Sequence, residues 1–468
     1  MIRTVPSLLQ ARALRWPDQI CVEVDQGGTL TFQELEGRAH RVACGLVAKG
    51  LQHGARVALG FRNPDALAYF VAYLGIQKAG GVVVPVNPRA PERERTRIIE
   101  NCEASHQILS LGSYQELVAS TAEVTLPIVD AEDLAEIIYT SGTTGLSKGV
   151  AVTHANAVGM VDAGAVERAA GHTFLCPVPM TTYAGNAFLL GCLKSGMRNL
   201  IMRKFEPLRF VELLQRSDVR SVYGVAPMWL RTLKDCLSDT APDCPNLRLI
   251  SFGAAAMPAW AVQRLGELFP HCIIRNMYGL TEAGSAVCML RPGDHLKRPG
   301  SVGRPVPPAE VRIVDGEVCL RLRGVPGRRY FRDEAASQEV FDDEGWVRTG
   351  DLGRLDEDGY LYLVDRKKDI VISGGNNVSS AEVESVLLAH PDVAEVAVIG
   401  LPDEIYGERV TAVVVGRTGG QPIAAASLQA FAAERLAAFK VPRELRFVSE
   451  LPRNDMGKVI KNVLRGGL

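Results

Sequence analysis

The chain of 468 residues has almost no net charge and no long apolar run. It carries 52 lysines and arginines against 53 aspartates and glutamates, so no overall field attracts it to nucleic acid or to an anionic membrane. No apolar run approaches the ~18 residues that a membrane-spanning helix requires. The composition therefore predicts a globular protein with no nucleic-acid partner and no integral membrane segment, in which local groups bind any anion.

Paired metal-binding and disulfide motifs are also absent from the sequence. The ten cysteines stand without a C-x-x-C pair, and the eight histidines form no H-E-x-x-H. We therefore expect neither a zinc site nor a disulfide framework, and a cytoplasmic location, where thiols stay reduced. Arginines without an acid in residues 1–17 could mimic a transit peptide, but apolar residues at helical spacing favour a first helix there.

The chain is longer than a domain with a single hydrophobic core usually is, so two or three domains are expected. Short apolar runs alternate with helical patterns, most clearly at residues 56–61, 64–80 and 81–86, which predict a β-α-β unit. Buried strands of this kind indicate a parallel sheet covered on both faces. Further strands are predicted around residues 199–202, 221–225, 249–252 and 273–277.

The last third of the sequence changes to hairpin patterns. Asp315-Gly316 and Asp358-Gly359 each lie between alternating apolar runs, which is a strong hairpin signal. A polar stretch at 365–369 marks the predicted boundary between a large domain, residues 1–365, and a small domain, residues 366–468.

The segment from Ile137 to Val150 joins an apolar run to a loop of glycines, hydroxyls and one lysine. Small residues let backbone N–H groups turn toward an anion, and Lys148 adds a positive charge. A Walker loop needs glycine before the lysine, whereas here Ser147 precedes it. The segment therefore predicts a polyphosphate cradle of another kind, with a surface linker as the alternative. Its predicted binding residues are Thr140, Ser141, Gly142, Thr143, Thr144, Gly145 and Lys148.

Other segments carry groups that suit the same chemistry. Residues 276–284 read N-M-Y-G-L-T-E-A-G after a predicted strand, and ligands bind at strand ends in open α/β sheets. Residues 251–256 form a small-residue turn, residues 347–352 contain Thr-Gly-Asp, and residues 451–459 contain Gly-Lys. Binding a polyphosphate next to another anion needs such groups, because two unit charges ~4 Å apart repel by about 4 kcal/mol at an effective dielectric of about 20.

In content and order these motifs resemble those of the adenylate-forming enzymes, the superfamily of acyl-CoA synthetases, firefly luciferase and peptide-synthetase adenylation domains. The resemblance implies an α/β fold with a large N-terminal domain of packed α/β sheets plus a barrel-like part, and a small mobile α+β C-terminal domain. It implies a ligase that converts a carboxylic acid and ATP to acyl-AMP and pyrophosphate and then transfers the acyl group to CoA. Magnesium is the implied metal.

The resemblance also assigns roles in the nucleotide site. It implies that Tyr278 stacks on adenine, Thr281 contacts the α-phosphate, and Glu282 holds magnesium together with Thr144. Residues that would border the nucleotide or the acyl pocket are Gly253, Ala254, Ala255, Asn276 and Gly279.

In the second half of the chain, Asp351 matches the aspartate that accepts hydrogen bonds from both ribose hydroxyls. Arg366 matches an arginine near the ribose and phosphates, and Lys368 falls at the hinge. Lys458 matches the mobile catalytic lysine that bridges the attacking carboxylate and the α-phosphate. The implied catalytic set is Lys148, Thr281, Glu282 and Lys458. Gly374 and Gly375 would border the pantetheine channel.

Two positions depart from the family pattern. Thr182 stands where many acyl-CoA synthetases carry a histidine, and Asn376 stands where a glutamate is common. The pocket candidates are mostly small or apolar and include no arginine for a second carboxylate, so we expect a monocarboxylic aliphatic or aromatic acid. These candidates are Tyr223, Gly224, Ala254, Gly279 and Val287.

Free CoA is the predicted acceptor, because no carrier-protein segment is attached. An enzyme that loads a carrier protein and a catalytically silent nucleotide-binding homologue are the alternatives, and a homodimer is left open. A silent homologue should lack one of Lys148, Glu282, Asp351 or Lys458, and all four are present.

Overall fold

The computed structural model describes residues 2–140, 147–159, 169–237, 241–417, 423–453 and 458–466. Its contacts divide the chain into two compact units. The first unit comprises residues 1–299, 305–310 and 321–347, and the second comprises residues 300–304, 311–320 and 348–468. The predicted division between residues 365 and 366 stays a prediction.

Several helices begin at hydroxyl caps that the sequence supplies. Thr4, Thr31, Ser110 and Thr153 each form a capping box, which satisfies backbone N–H groups in the first turn. The described helices are α1 Val5–Arg15, α2 Phe32–Ala48, α3 Ala66–Lys78, α4 Glu92–Asn101, α5 Leu111–Val118, α6 His154–Val158, α7 Tyr183–Ser195, α8 Pro207–Leu214, α9 Ala226–Asp235, α10 Ala259–Leu268, α11 Asp294–Lys297, α12 Glu334–Val340, α13 Ser380–Leu388, α14 Ala425–Ala433 and α15 Lys461–Gly466.

The strands are short, as expected for buried α/β sheets. They are β1 Ile20–Val24, β2 Thr29–Thr31, β3 Arg56–Leu59, β4 Val82–Pro85, β5 His106–Ile108, β6 Leu134–Thr140, β7 Lys148–Thr153, β8 Thr173–Cys176, β9 Arg198–Ile201, β10 Val219–Val225, β11 Leu249–Gly253, β12 Ile273–Leu280, β13 Ser285–Met289, β14 Ser301–Pro305, β15 Ala309–Val314, β16 Glu317–Leu322, β17 Arg329–Tyr330, β18 Val347–Leu355, β19 Leu361–Arg366, β20 Val371–Ser373, β21 Asn376–Val378, β22 Val393–Asp403, β23 Gly407–Gly416 and β24 Glu444–Phe447.

Two sheets organise the first unit. One follows the order β13-β12-β11-β10-β8-β9-β1-β2, and its strands from β8 to β12 pair in parallel. The other follows the order β17-β7-β6-β4-β3-β5, with β3, β4 and β5 parallel and β6 antiparallel to β7. Phe210, Trp229 and Phe252 lie in one hydrophobic core, where α8, α9 and α10 pack on the first sheet.

The second unit contains antiparallel strands and a small α+β part. In the first group, β19 pairs with both β18 and β14. In the α+β part, β22 and β23 form a long hairpin that β24 joins in parallel. Val383, Val398, Val414 and Leu428 lie in its core, which α13 and α14 cover.

The predicted α/β fold class is confirmed. The β-α-β unit predicted at 56–86 appears as β3, α3 and β4. The two predicted hairpins are also confirmed, because Asp315-Gly316 joins β15 to β16 and Asp358-Gly359 joins β18 to β19. Gly316 and Gly359 have φ angles of +80° and +77°, which glycine adopts at little cost.

The cysteines carry free thiols, and most are buried. Burial raises the pKa of both Cys176 and Cys288 to about 12, because a thiolate in an apolar core loses its hydration. Within the part of the chain that the structure describes, no helix combines the length and apolar character needed to cross a bilayer.

Candidate active site

The glycine- and hydroxyl-rich segment connects the two strands of a hairpin. Thr140 ends β6, Lys148 begins β7, and the two residues pair directly across the antiparallel ladder. The predicted cradle residues Ser141, Gly142, Thr143, Thr144 and Gly145 lie outside the described residues. Thr140 and Lys148 therefore fix where the segment starts and ends.

Two of the predicted motifs meet at the carboxylate of Glu282. The hydroxyl of Thr140 donates a hydrogen bond to Glu282 Oε1 at 3.2 Å, although the two residues are 142 positions apart. The hydroxyl of Tyr330 donates to the same oxygen at 3.1 Å, and the ammonium of Lys148 lies 5.1 Å from the centre of the Tyr330 ring. Burial, together with the negative charge of Glu282, raises the pKa of Tyr330, so its hydroxyl stays protonated and remains a donor.

A buried arginine supports the turn that carries Glu282. Arg328 is only 6% exposed, and its Nη1 donates to the backbone carbonyl of Thr281. Its Nη2 lies 3.5 Å from the Tyr183 hydroxyl, and its guanidinium lies 5.3 Å from the centre of the Tyr183 ring. A methyl group on Gly284 would approach Nη2 to 3.3 Å, so the whole turn packs against this guanidinium.

The predicted adenine edge lies at the ends of β11 and β12. Gly253 pairs with Met277, and a side chain on Gly253 would lie 2.5 Å from the Met277 carbonyl, so only glycine fits. Ala254 follows with φ of +64°, a left-handed conformation that is unusual for alanine and is common at functional turns. Asn276 and Tyr278 are both buried in β12, whereas Ala255 and Gly279 are half-buried.

The residue that replaces the family histidine has a structural task. Thr182 caps α7: its hydroxyl accepts from the N–H of Gly185 at 3.1 Å and donates to the carbonyl of Pro179 at 2.7 Å. Beyond it an aromatic cluster joins α7 to the sheet, with the Phe188 ring centre 4.5 Å from that of Tyr223. The Tyr223 hydroxyl lies 3.5 Å from the position that a Cβ atom on residue 253 would occupy.

The second unit holds the predicted ribose contacts. Asp351 on β18 lies opposite Arg366 on β19, and Arg366 Nε lies 2.9 Å from Asp351 Oδ1. Gly350 adopts φ of +71° and donates its N–H to the buried carboxylate of Glu317 at 3.0 Å. The hydroxyl of Thr349 accepts from the Asp351 N–H at 3.0 Å, so local bonds fix the whole Thr-Gly-Asp segment.

The two predicted channel glycines form the turn between β20 and β21. Gly374 and Gly375 have φ angles of +56° and +78°, the pattern of a two-residue hairpin that side chains rarely tolerate. The side-chain amide of Asn376 donates to the Gly374 carbonyl at 3.2 Å. Asn376 thus stabilises this turn where a glutamate is common in the family.

Two predicted lysines also lie in the second unit. Lys368 occupies the turn Lys367–Asp369 directly after β19, and burial lowers its pKa. Lys458 is half-buried and lies beside the bridge that pairs Arg453 with Val459.

Sequence reasoning missed Tyr330 and Arg328. The structure brings Thr140, Lys148 and Glu282 together in the first unit, as the motifs predict, but these two partners come from residues 328–330, outside every motif. Both are single residues in a basic run, Arg328-Arg329-Tyr330, that carries no signal of its own.

Two family models match the chain. The model "AMP-binding enzyme" matches residues 9–338, and the model "AMP-binding enzyme C-terminal domain" matches residues 382–458. The chain belongs to the AMP-binding enzyme family. Family membership confirms the resemblance that the motifs indicate.

Two curated relatives of the chain are named as CoA ligases. The chain is 34% identical to a 3-[(3aS,4S,7aS)-7a-methyl-1,5-dioxo-octahydro-1H-inden-4-yl]propanoyl:CoA ligase from Rhodococcus jostii, over 99% of this chain and 98% of that protein. It is also 34% identical to a 2-succinylbenzoate–CoA ligase from Geobacillus kaustophilus, again over 99% and 98%.

Solved structures show the same fold with ligands bound. o-Succinylbenzoate CoA synthetase from Bacillus subtilis, in complex with ATP and magnesium ion, superimposes with a TM-score of 0.86 at 29% identity, over 97% of this chain and 98% of that one. The same enzyme with the acyl-adenylate intermediate OSB-AMP gives a TM-score of 0.85 at 28% identity, over 98% and 97%.

The chain is accordingly an ATP-dependent acid–CoA ligase that forms an acyl-adenylate. ATP and CoA are its co-substrates, and magnesium is its cofactor. Among the described residues no cluster of three or more His, Cys, Asp or Glu side chains could hold a metal by itself. Magnesium usually takes one or two carboxylates and completes its shell with phosphate oxygens and water. Glu282 is a hard oxygen donor of this kind.

Proposed function

We propose that Lys148, Thr281 and Glu282 bind the triphosphate and its magnesium, that Tyr278 stacks on adenine, and that Asp351 binds the ribose. The hydrogen bond from Thr140 to Glu282 carries this proposal, because it joins the end of the predicted cradle to the predicted metal ligand. Magnesium held there would neutralise phosphate charge and orient the leaving pyrophosphate.

The other residues of the proposed site either offset negative charge, orient Glu282 or admit CoA. Lys148 offsets the negative charge of the phosphates, and the Thr140 and Tyr330 hydroxyls hold Glu282 through Oε1, so that Oε2 can serve the cation. Lys458 stabilises the charge that develops on the α-phosphate as the carboxylate attacks. Gly374 and Gly375 admit the pantetheine arm of CoA in the second half-reaction.

Replacing Tyr330 with phenylalanine should weaken magnesium-dependent ATP use without abolishing it. The change removes one of two hydrogen bonds that orient Glu282, an interaction worth about 1.5–3 kcal/mol when the acceptor is charged. We expect KM for ATP to rise about tenfold and to fall back toward the wild-type value at high magnesium concentration. If the magnesium dependence of the variant is unchanged, Tyr330 does not orient Glu282. Tyr362→Phe, in the second unit, is the control.

The acid substrate is proposed to carry a ring. Phe174, Phe188 and Tyr223 form a continuous aromatic cluster with ring-centre separations of 5.0 and 4.5 Å, and Tyr223 reaches the small-residue turn at Gly253. Offset aromatic contacts favour flat or cyclic partners. The relatives from Rhodococcus jostii and Geobacillus kaustophilus are named for ring-bearing acids. One carboxylate per substrate stays the prediction from the sequence.

A panel of acids tests both the reaction and the substrate class. Pyrophosphate release is measured without CoA, and AMP and thioester with CoA, for 3-phenylpropanoate, its straight-chain analogue nonanoate, and the dicarboxylates malonate and succinate. We expect kcat/KM for the cyclic acid to exceed that for nonanoate by about threefold to tenfold, the size of an aromatic contact.

A matched pair of variants locates the preference. Phe188→Leu should reduce the ratio of cyclic to straight-chain turnover, whereas Phe205→Leu, in the core beside Phe210, should leave the ratio unchanged. Best turnover of a dicarboxylate would contradict the monocarboxylate prediction, and acyl-AMP without CoA thioester would contradict CoA as acceptor.

A further inference from the structure

A short edge strand joins the phosphate hairpin to the turn that carries Glu282. Strand β17 pairs antiparallel with β7, and the Phe331 N–H donates to the Gly149 carbonyl at 2.7 Å. Strand β7 begins at Lys148, the predicted phosphate lysine. Backbone hydrogen bonds therefore set the position of the segment around β17 relative to this hairpin.

Two side chains of this segment hold the turn. Successive side chains along a strand point to opposite sides, so position 328, just before β17, shares a side with position 330. The Tyr330 hydroxyl donates to the Glu282 carboxylate at 3.1 Å, and Arg328 Nη1 donates to the backbone carbonyl of Thr281. Arg329, which lies between them, is exposed. Consecutive residues of the turn are thus held by alternate residues of one strand segment.

The guanidinium of Arg328 is a buried charge. It is 6% exposed, and among the residues that the structure describes no aspartate or glutamate forms an ion pair with it. Besides the Thr281 carbonyl, it contacts the Tyr183 hydroxyl at 3.5 Å and the Tyr183 ring, whose centre lies 5.3 Å away. Burying a charge costs stability, so packing alone does not account for an arginine here. Its hydrogen-bond donors are the better explanation.

Tyr183 gives this guanidinium a rigid support. It is the first residue of α7, which Thr182 caps. One turn further along, Asn186 Nδ2 donates to the buried carboxylate of Glu136 on β6 at 3.2 Å. Strand β6 ends at Thr140, so α7 is anchored to the same hairpin that β17 borders. The aromatic face that Tyr183 offers to the cation is held in place by its helix.

The far end of the turn also packs against Arg328. The Gly284 N–H donates to the Leu280 carbonyl at 3.1 Å, and Gly284 has a φ angle of +97°. A Cβ atom at this position would lie 3.3 Å from Arg328 Nη2. The guanidinium therefore contacts both ends of the segment that carries Glu282. A displacement of about an ångström in such a segment can cost ~100-fold in rate.

We propose that Arg328 is a positioning residue for the nucleotide site: supported by Tyr183, its guanidinium holds the Thr281 backbone and so orients Thr281 and Glu282 toward the phosphates and magnesium. The proposal rests on the role proposed above for that turn. It predicts that Arg328 affects binding of the phosphates and the metal, and that binding of the adenosine part of the nucleotide does not depend on it.

Two ligands separate these parts of the nucleotide. Binding of the magnesium complex of α,β-methylene-ATP is measured by calorimetry, and binding of adenosine by its competitive inhibition of pyrophosphate release. In Arg328→Met, which keeps most of the side-chain length and removes the donors, the analogue should bind about tenfold more weakly, the effect of one charged hydrogen bond. Adenosine should bind within about twofold of wild type. Arg329→Met, the same change at the exposed neighbour, should leave both affinities unchanged.

A double-mutant cycle tests the support from Tyr183. Tyr183→Leu removes the ring and should weaken binding of the analogue about threefold, the size of a cation–π contact. In the Arg328→Met background the same change should cause no further loss, because the tyrosine acts through the guanidinium. Arg328→Lys keeps a buried charge in case the methionine variant does not fold. It should bind the analogue about threefold more weakly than wild type, since one ammonium cannot reproduce both contacts of the guanidinium.

The outcomes that contradict the proposal are distinct. Equal affinity of Arg328→Met and Arg329→Met for the analogue would overturn it, and so would an equal loss of adenosine binding, additive losses in the cycle, or wild-type affinity in Arg328→Lys. Glu282→Gln separates this failure from that of the proposed function. If wild type binds the analogue no more tightly than Glu282→Gln does, the proposed metal site fails. If Glu282→Gln weakens binding and Arg328→Met does not, only the role of Arg328 fails.

Discussion

Replacement of Lys458 by alanine is expected to reduce acyl-adenylate formation by about 100- to 1,000-fold, the effect of removing one donor that stabilises transition-state charge. Transfer of the acyl group from supplied acyl-AMP to CoA should largely persist, because the lysine serves only the conformation in which the carboxylate attacks ATP. The two half-reactions are measured separately, as pyrophosphate release without CoA and as thioester formation from synthetic acyl-AMP.

The matched control for this variant is Lys440→Ala in the same unit. The Lys440 ammonium lies 2.7 Å from both carboxylate oxygens of Glu382, and an ion pair at the protein surface is worth little. Both half-reactions should survive its loss. Equal losses in the two half-reactions of Lys458→Ala would show that the lysine is not specific to adenylation.

Replacement of Glu282 by glutamine should lower kcat/KM for magnesium-ATP by about 100-fold or more, because the metal loses its charged protein ligand. The amide keeps the size of the side chain and can still accept the bonds from Thr140 and Tyr330, so folding should be unaffected. A magnesium titration of activity provides the decisive measurement, since the variant should need a much higher concentration for half-maximal rate.

Glu267→Gln is the control for that experiment. Glu267 lies on α10 and is half-exposed, with an oxygen 3.2 Å from Arg264, so its charge contributes little to stability or catalysis. A Glu282→Gln enzyme with the wild-type magnesium requirement would reject the role of Glu282 as metal ligand and leave only its hydrogen bonds to the hydroxyls.

The sequence predicts those parts of the fold and site that depend on local patterns. The apolar runs around residues 56–61 and 81–86 are continuous, so the sequence alone identifies β3 and β4. Asp-Gly pairs identify two hairpins because they favour left-handed backbone angles. The motif residues Thr140, Lys148 and Glu282 lie at or beside the ends of strands β6, β7 and β12, which is where ligand-binding residues are expected in α/β sheets.

Residues of the site that lie outside any motif could not be predicted in this way. Tyr330 and Arg328 contact Glu282 and Thr281 from a part of the chain more than 40 residues downstream, and a basic run gives no sign of which guanidinium is buried. Glu136 stands in the apolar strand β6, and the sequence alone does not reveal that its carboxylate accepts hydrogen bonds from Tyr73 and Asn186. Such contacts are set by tertiary packing, which local periodicity does not encode.

Burial of the thiols has a chemical consequence for an enzyme of this kind. An acyl-adenylate is a mixed anhydride that any nearby thiolate can intercept, and only the deprotonated sulfur is an effective nucleophile. Cys288 pairs with Tyr278 across the β12–β13 ladder, yet its raised pKa keeps it as an inert thiol. Burial in the core thus leaves Cys288 in its protonated form, which attacks such an anhydride poorly.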